Sequence, residues 1–268
     1  MSKFTPEKNR EFWDDYSKKS RDNSFGAHSD KGIVDLENNF IETILKNNQF
    51  KSLLDIGCGN GQRTLLFSKY ISGKVKGIDY SSEMILEAKK MLEQQNDLIK
   101  NKLSFQVEDV NEIQDSSLDV ILSCRCLINQ PSAQSQIKIM KLLYNKLKSG
   151  GSLIIAEQSL NGIGQLNKIR EKFELPPITI RWYNVPIDEK IVFPEITNLF
   201  EIKSISRLGT YYYISRVLHP ALVFPDEPKP SSKINDLGKK SELILQEELM
   251  DNSFEQYGAQ LLIHFIKK

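Results

Sequence analysis

The chain has 268 residues, with 36 basic and 35 acidic side chains and a formal net charge of +1 at pH 7. That balance leaves no long-range field to steer the protein toward nucleic acid or an anionic membrane, and no apolar run approaches the roughly 20 residues of a membrane span. The three cysteines, Cys58, Cys124 and Cys126, are an odd set without framework spacing, so a reducing, cytoplasmic setting is expected. "CRC" is too tightly spaced for a zinc half-site, and no metal site is expected.

Residues 1–32 are polar, with Phe12, Trp13 and Tyr16 at helical spacing. A short helix with one sticky face is expected there, either packed on the body or covering a ligand as a lid. Residues 33–47 read as an amphipathic helix. Beyond them β-rich runs ("SLLDI", "VKGID", "LSFQV", "LDVILS", "SLIIAEQ", "FEIKSIS", "LLIHFIK") alternate with helical patterns, most clearly at 61–71, 82–95 and 133–147. This rhythm predicts one α/β domain over 1–268, with a doubly wound, mostly parallel sheet of seven strands and helices on both faces. Residues 159–187 and 207–233 break the rhythm. Both follow the C-terminal ends of predicted strands, the edge where open α/β sheets bind ligands, so both are expected on the substrate side.

The glycine cluster lies in "SLLDIGCGNGQRTLLFSKY". Gly57, Gly59 and Gly61 are present, but Gln62 stands where a dinucleotide fingerprint needs its third glycine. No Gly-Lys-Ser/Thr ending marks a P-loop either. Asp55 sits two residues before the first glycine, where it would repel phosphate and suit a cationic group. Asp79 ends the second strand about 20 residues on, where an acid can take both ribose hydroxyls. A nucleoside with a charged amino-acid tail and no phosphate matches this set.

The loop resembles the first motif of class I S-adenosylmethionine-dependent methyltransferases, and "GIDYSSEMILEAKK" resembles their second. "VEDVNEI" is similar to the segment at the adenine edge, and "LDVILSCRCLINQ" to the fourth-strand motif beneath the methionine moiety. The resemblance implies a Rossmann-like fold with an antiparallel last strand. It implies S-adenosylmethionine as cofactor, S-adenosylhomocysteine as product, and residues 1–32 as a lid over the cofactor. The cofactor residues it implies are Tyr16, Asp55, Gly57, Cys58, Gly59, Asn60, Gly61, Asp79, Tyr80, Met84, Asp109, Val110, Ser123 and Arg125.

Residues 123–184 and 210–235 resemble more narrowly the methyltransferases of bacterial capsule and lipopolysaccharide gene clusters. This implies O-methylation of a sugar, or of a phosphate or phosphoramidate substituent, on a surface-polysaccharide precursor.

Of the 36 basic residues only eight are arginine, yet Arg125, Arg170, Arg181 and Arg216 all fall in segments expected to face the acceptor. A guanidinium fork suits carboxylate or phosphate, so an anionic acceptor is expected, with internal pairing to Glu157, Glu171, Glu174 or Asp188 as the alternative. Asn167, Trp182 and Tyr212 complete the expected substrate set. Glu157, Tyr183 and His28 are the candidate bases for a hydroxyl acceptor. The other readings are a small-molecule N-methyltransferase, whose acceptor pocket would be rich in carboxylates and aromatics, and a non-catalytic cofactor-binding subunit. A monomer or homodimer is expected.

Overall fold

The structure, a computed structural model, describes residues 5–19, 30–248 and 254–268. The seven expected strands are β1 (Ser52–Ile56), β2 (Lys74–Asp79), β3 (Leu103–Val107), β4 (Leu118–Cys124), β5 (Leu147–Gln158), β6 (Phe200–Ser206) and β7 (Gln260–Lys267). They form one sheet in the order β3-β2-β1-β4-β5-β7-β6. Pairs from β3 through β5 are parallel, while β7 runs antiparallel to both β5 and β6. The fold is thus the Rossmann-like one expected.

The central strands are apolar at nearly every position because both faces are covered. Side chains alternate between the faces along each strand. Leu53, Val75, Val120 and Leu122 meet Ile41, Phe67 and Ile85 on one side. Leu54, Ile78 and Ile121 meet Ile139, Leu143 and Val192 on the other. The first layer comes from α2 (Lys31–Lys46), α3 (Gln62–Ser68) and α4 (Ser82–Glu93), and the second from α6 (Ala133–Lys146) and α8 (Glu189–Ile196). A one-turn α5 (Asp97–Lys100) leads into β3. Each side chain removed from water in these layers contributes roughly 1.5–3 kcal/mol relative to exposure.

Strand β5 starts earlier than its apolar run. Leu147 already pairs with Leu118, and the ladder shifts register before resuming at Ser152, with Gly150 left-handed at φ 69° between them. The segment 159–187 holds α7 (Leu160–Lys172) and then returns to the sheet edge, where Ile187 bridges to Ser159. The segment 207–233 is helical over much of its length: α9 (Gly209–Tyr213), a π-helical turn (Ile214–Leu218) and α10 (His219–Val223). Helices α8 and α11 (Lys233–Glu248) likewise lie outside the helical patterns read from the sequence.

Helix α1 (Pro6–Lys19) carries the aromatic face expected of it. Its Phe12 ring stacks on Tyr183 at 4.5 Å, and Asn9 Nδ2 donates to the Asn129 carbonyl at 3.1 Å. Ser81, the N-cap of α4, donates to Asp14 Oδ1 on the opposite flank. Helix α1 is therefore tied to the loops that follow β2 and β4.

Candidate active site

The sheet order reverses between β1 and β4, and the loops leaving those two strands diverge to open a crevice. Past Ile56 the chain turns through Gly57, Gly59 and Gly61 at φ 65°, 55° and 76°, a left-handed run that side chains resist. The three glycines serve different ends. A Cβ on Gly57 would strike Cys126 Cβ at 2.8 Å, and one on Gly61 would strike the Phe105 ring at 2.5 Å. A Cβ on Gly59 would meet nothing nearer than Met84 Sδ at 4.0 Å. The backbone of Gly59 therefore borders open space.

That space is a cavity of about 720 Å³. Gly57, Cys58, Gly59, Asn60, Asp79, Tyr80, Met84, Asp109 and Val110 line one part of it, and Arg125, Arg181, Tyr183 and Arg216 also border it. Asp79 is nearly buried. Its two carboxylate oxygens accept from the backbone N–H groups of Gly59 and Ser81, both at 2.9 Å, and each keeps a lone pair for a further donor. Burial pushes the carboxyl up to about 6, against the pull of those backbone bonds.

The cavity's cationic residues are Arg10, Arg63, Arg125, Arg181 and Arg216. Among the described residues no lysine lines it, although lysines outnumber arginines 28 to eight in the chain. Six carboxylates share the lining: Glu7, Glu11, Asp30, Asp79, Glu108 and Asp109. The arginines are not paired as expected. Glu37, wholly buried on α2, accepts from Arg63 Nη1 at 2.8 Å and Arg125 Nη2 at 3.1 Å. Asp30 accepts from Arg216, and Arg170 donates to the carbonyls of Pro176 and Arg216. Arg181 donates to Tyr183 Oη at 2.5 Å, and among the described residues no salt bridge engages it.

Several expected site residues lie elsewhere. Glu157 is fully buried, and its carboxylate accepts from Ser123 Oγ and from the backbone N–H groups of Cys126, Leu127 and Ile128 at 2.7–3.1 Å. Burial raises its carboxyl to about 7, but it shapes the loop after β4 and does not border the cavity, so a base role does not fit. Ser123 is consumed by the same bond. Asp55 turns inward to Thr64 Oγ1 at 2.6 Å, with burial raising its carboxyl to about 6, so it organises the start of α3 beneath the loop. Gly61 is the N-terminal cap of α3 and packs on the Phe105 ring.

Tyr16 packs against Phe12 and Trp13, and Trp182 lies at 46% exposure against Phe12. Asn167 exchanges two hydrogen bonds with the backbone of Ile178, and buried Tyr212 reaches toward Gln260. Tyr16, Trp182, Asn167, Tyr212 and Arg170 do not border the cavity. Tyr183 does, buried to 6%. His28 lies outside the described residues. No group of three His, Cys, Asp or Glu side chains among the described residues is placed to hold a metal.

Sequence reading missed Arg63 and Glu37. The rarity of arginine pointed at Arg63, two residues past the last loop glycine. Glu37 is an acid on the apolar face of α2, beside Ile33, Val34, Leu36 and Ile41, and a charge there needs a buried partner.

A glycine loop after β1, a carboxylate at the end of β2 and a cavity at the sheet's switch point define a nucleoside-binding α/β site. A family model described as a methyltransferase domain matches residues 47–194, more than half of the chain. The chain belongs to that methyltransferase-domain family. Among curated relatives, a protein of Invertebrate iridescent virus 6 named methyltransferase 235L is 30% identical over 156 residues, covering 56% of this chain and 53% of its own. The mitochondrial ubiquinone biosynthesis O-methyltransferase of Candida albicans is 27% identical over 47% of this chain and 38% of its own. Phosphoethanolamine N-methyltransferase 2 of Caenorhabditis elegans is 29% identical over 39% and 23%. The chain thus spans about half, or less, of the length of these relatives.

Solved structures share the fold across nearly the whole chain. Magnesium protoporphyrin IX methyltransferase of Synechocystis PCC 6803 with bound S-adenosylhomocysteine superposes at TM-score 0.61, with 14% identity, over 98% of this chain and 100% of that one. The N-methyltransferase NodS of Bradyrhizobium japonicum WM9, also with S-adenosylhomocysteine, gives 0.58 and 11% over 97% and 98%. No helix among the described residues is long and apolar enough to cross a membrane.

Proposed function

We propose that this protein transfers a methyl group from S-adenosylmethionine to an oxygen of a small anionic acceptor. The acceptor class we favour is a sugar, or a phosphate or phosphoramidate substituent, of a surface-polysaccharide precursor. S-adenosylmethionine is the cofactor, and the residues suit it. The open space at Gly59 admits a ligand against the backbone, Asp79 offers two carboxylate lone pairs to ribose hydroxyls, and Asp109 and Val110 border the cavity where the adenine edge would lie. The bound cofactor supplies an electrophilic methyl on a cationic sulfur. The protein's own contribution is to hold the acceptor oxygen in line with it and to exclude water. Helix α1 is the lid in this reading, supported by its ties through Asp14, Asn9 and Phe12.

One observation carries the acceptor reading. Arg181 reaches the cavity, donates to Tyr183, and makes no ion pair among the described residues, so its fork is available to an anion. Arg125 and Arg216 already face buried carboxylates. Among the described residues, Tyr183 is the expected base candidate that borders the cavity, and a phosphate-type oxygen, already ionised, would need none.

The cavity also favours a second reading. Its six carboxylates, with Trp13, Tyr80 and Tyr183, would suit a cationic amine acceptor and N-methylation. Transfer of labelled methyl from S-adenosylmethionine to sugar phosphates, nucleotide-linked sugars and small amines separates the two. Label in the sugar compounds supports the first, and label confined to amines replaces it with the second.

A further inference from the structure

Two side-chain amides at the cavity wall are each satisfied at one end only. Asn9 lies on α1 at 2% exposure and Asn129 lies in the loop after β4, and both border the cavity. Asn9 Nδ2 donates to the Asn129 carbonyl at 3.1 Å, and Asn129 Nδ2 donates to the Arg125 carbonyl at 2.7 Å. These bonds fix which way each amide faces, because turning either over would set two oxygens against each other. The two Oδ1 atoms are left buried, and neither has a hydrogen-bond donor among the described residues.

A buried oxygen without a donor is a cost that calls for an explanation. Bulk water does not reach either atom. The contents of the cavity are the remaining source, and an O–H or N–H group fits where an anion would be repelled.

The surroundings of the pair give the ligand its second feature. Asn9 and Phe12 are three residues apart on α1 and so share a face, and Phe12 stacks on Tyr183 at 4.5 Å. Tyr183 Oη accepts from Arg181. From the other side, the Val185 N–H donates at 2.6 Å to the carbonyl of Ile128, the residue before Asn129. The amides and the guanidinium are therefore carried by segments tied directly to each other along the cavity wall.

We propose that the side-chain oxygens of Asn9 and Asn129 form a donor-binding subsite beside Arg181. The acceptor then carries an anionic group and, next to it, hydroxyl or ammonium protons: a phosphorylated polyol or amino alcohol, and not a bare phosphate. This rests on Arg181 holding the acceptor's anion, as in the proposed function. It gives α1 a direct part in acceptor choice.

The test is calorimetry on protein saturated with S-adenosylhomocysteine, using three kinds of phosphate monoester. Methyl phosphate has no donors beside its phosphate, a panel of stereoisomeric hexose 1-phosphates brings hydroxyls, and O-phosphoethanolamine brings an ammonium. At least one donor-bearing ester should bind about tenfold or more tightly than methyl phosphate, as two added hydrogen bonds would give. Asn9→Leu and Asn129→Leu should each cut that preference to about threefold or less, with methyl phosphate affinity changed by less than about twofold. Retained methyl phosphate binding certifies the fold, and because the two residues lie on separate elements either variant alone reads the ratio. Preference for a hexose phosphate assigns the donors to hydroxyls, and preference for phosphoethanolamine assigns them to an ammonium. Equal binding of all the esters overturns the subsite while leaving the anionic acceptor standing. A preference that survives both substitutions also overturns it. A wild-type protein that binds none of the esters overturns the anionic-acceptor reading, and this inference with it.

Discussion

The backbone N–H of Gly59 donates to the Asp79 carboxylate at 2.9 Å, joining positions 20 residues apart in the chain. The glycine loop and the end of β2 are thus tied together, and in the proposed site Asp79 would act on the cofactor both through its remaining lone pairs and through the loop it holds. Asp79→Ala should weaken S-adenosylhomocysteine binding by roughly 1–3 kcal/mol. Equal affinity of mutant and wild type in calorimetry would remove Asp79 from the site.

Gly59 and Gly61 share a left-handed backbone and differ in what surrounds them. Gly59→Val should give a folded protein that no longer binds the cofactor, since its side chain enters the open space. Gly61→Val should unfold at markedly lower urea concentration, because its Cβ would overlap the Phe105 ring at 2.5 Å and Ala88 at 2.9 Å. Circular dichroism with a binding assay distinguishes the two outcomes, and a Gly59→Val protein with normal affinity would displace the cofactor from the loop.

Burial places the Asp79 carboxyl at about 6 in the free protein. Ribose hydroxyls donate to the ionised form, so affinity should be full above neutrality and fall as pH drops through 6, approaching about tenfold per unit. For folding the sign is reversed. The carboxyls of Asp55, Asp79 and Glu157 are all raised, so the folded state holds their protons more tightly than the unfolded chain. The stability this adds is present below their ordinary values and is lost as pH rises through 6 to 7. Calorimetry from pH 5 to 8 on wild type and Asp79→Asn checks the binding arm; a pH slope that survives the substitution refutes it.

Glu157, the penultimate residue of β5, is buried inside the protein and holds the loop after β4 with four accepted hydrogen bonds. Glu157→Ala leaves Ser123 and three backbone donors without their acceptor, and should cost about 3 kcal/mol or more. Because the carboxylate does not reach the cavity, the basic limb of any pH–rate profile should not move in the folded fraction. A stable variant that has lost only that limb would restore Glu157 as a base.

Arg181→Lys keeps the charge at the cavity rim but loses the fork. Once an acceptor is in hand, its KM should rise by about tenfold while affinity for S-adenosylhomocysteine stays constant. Unchanged kcat/KM in this variant would sink the anionic acceptor and favour the amine reading.

The alternation of apolar runs with helical periods decided the seven strands, the doubly wound class and the glycine loop from local chemistry alone. Each of those features depends on residues close together in the chain: a loop needs its glycines within a few residues, and a strand needs its own apolar pattern. The acid at the end of β2 was legible for the same reason, by its spacing from the loop. Partner choice was not. Glu157 looked like a base at a strand end, and only packing turned it toward the N–H groups of 126–128. Arg125 and Arg216 looked free for an acceptor, yet α2 and the residue preceding it bring Glu37 and Asp30 against them from 88 and 186 positions away. Whether a charged side chain faces a ligand or a buried counter-charge depends on which elements the sheet order makes neighbours. That is a property of tertiary structure, because the cost of burying a charge is settled by contacts that no local spacing encodes.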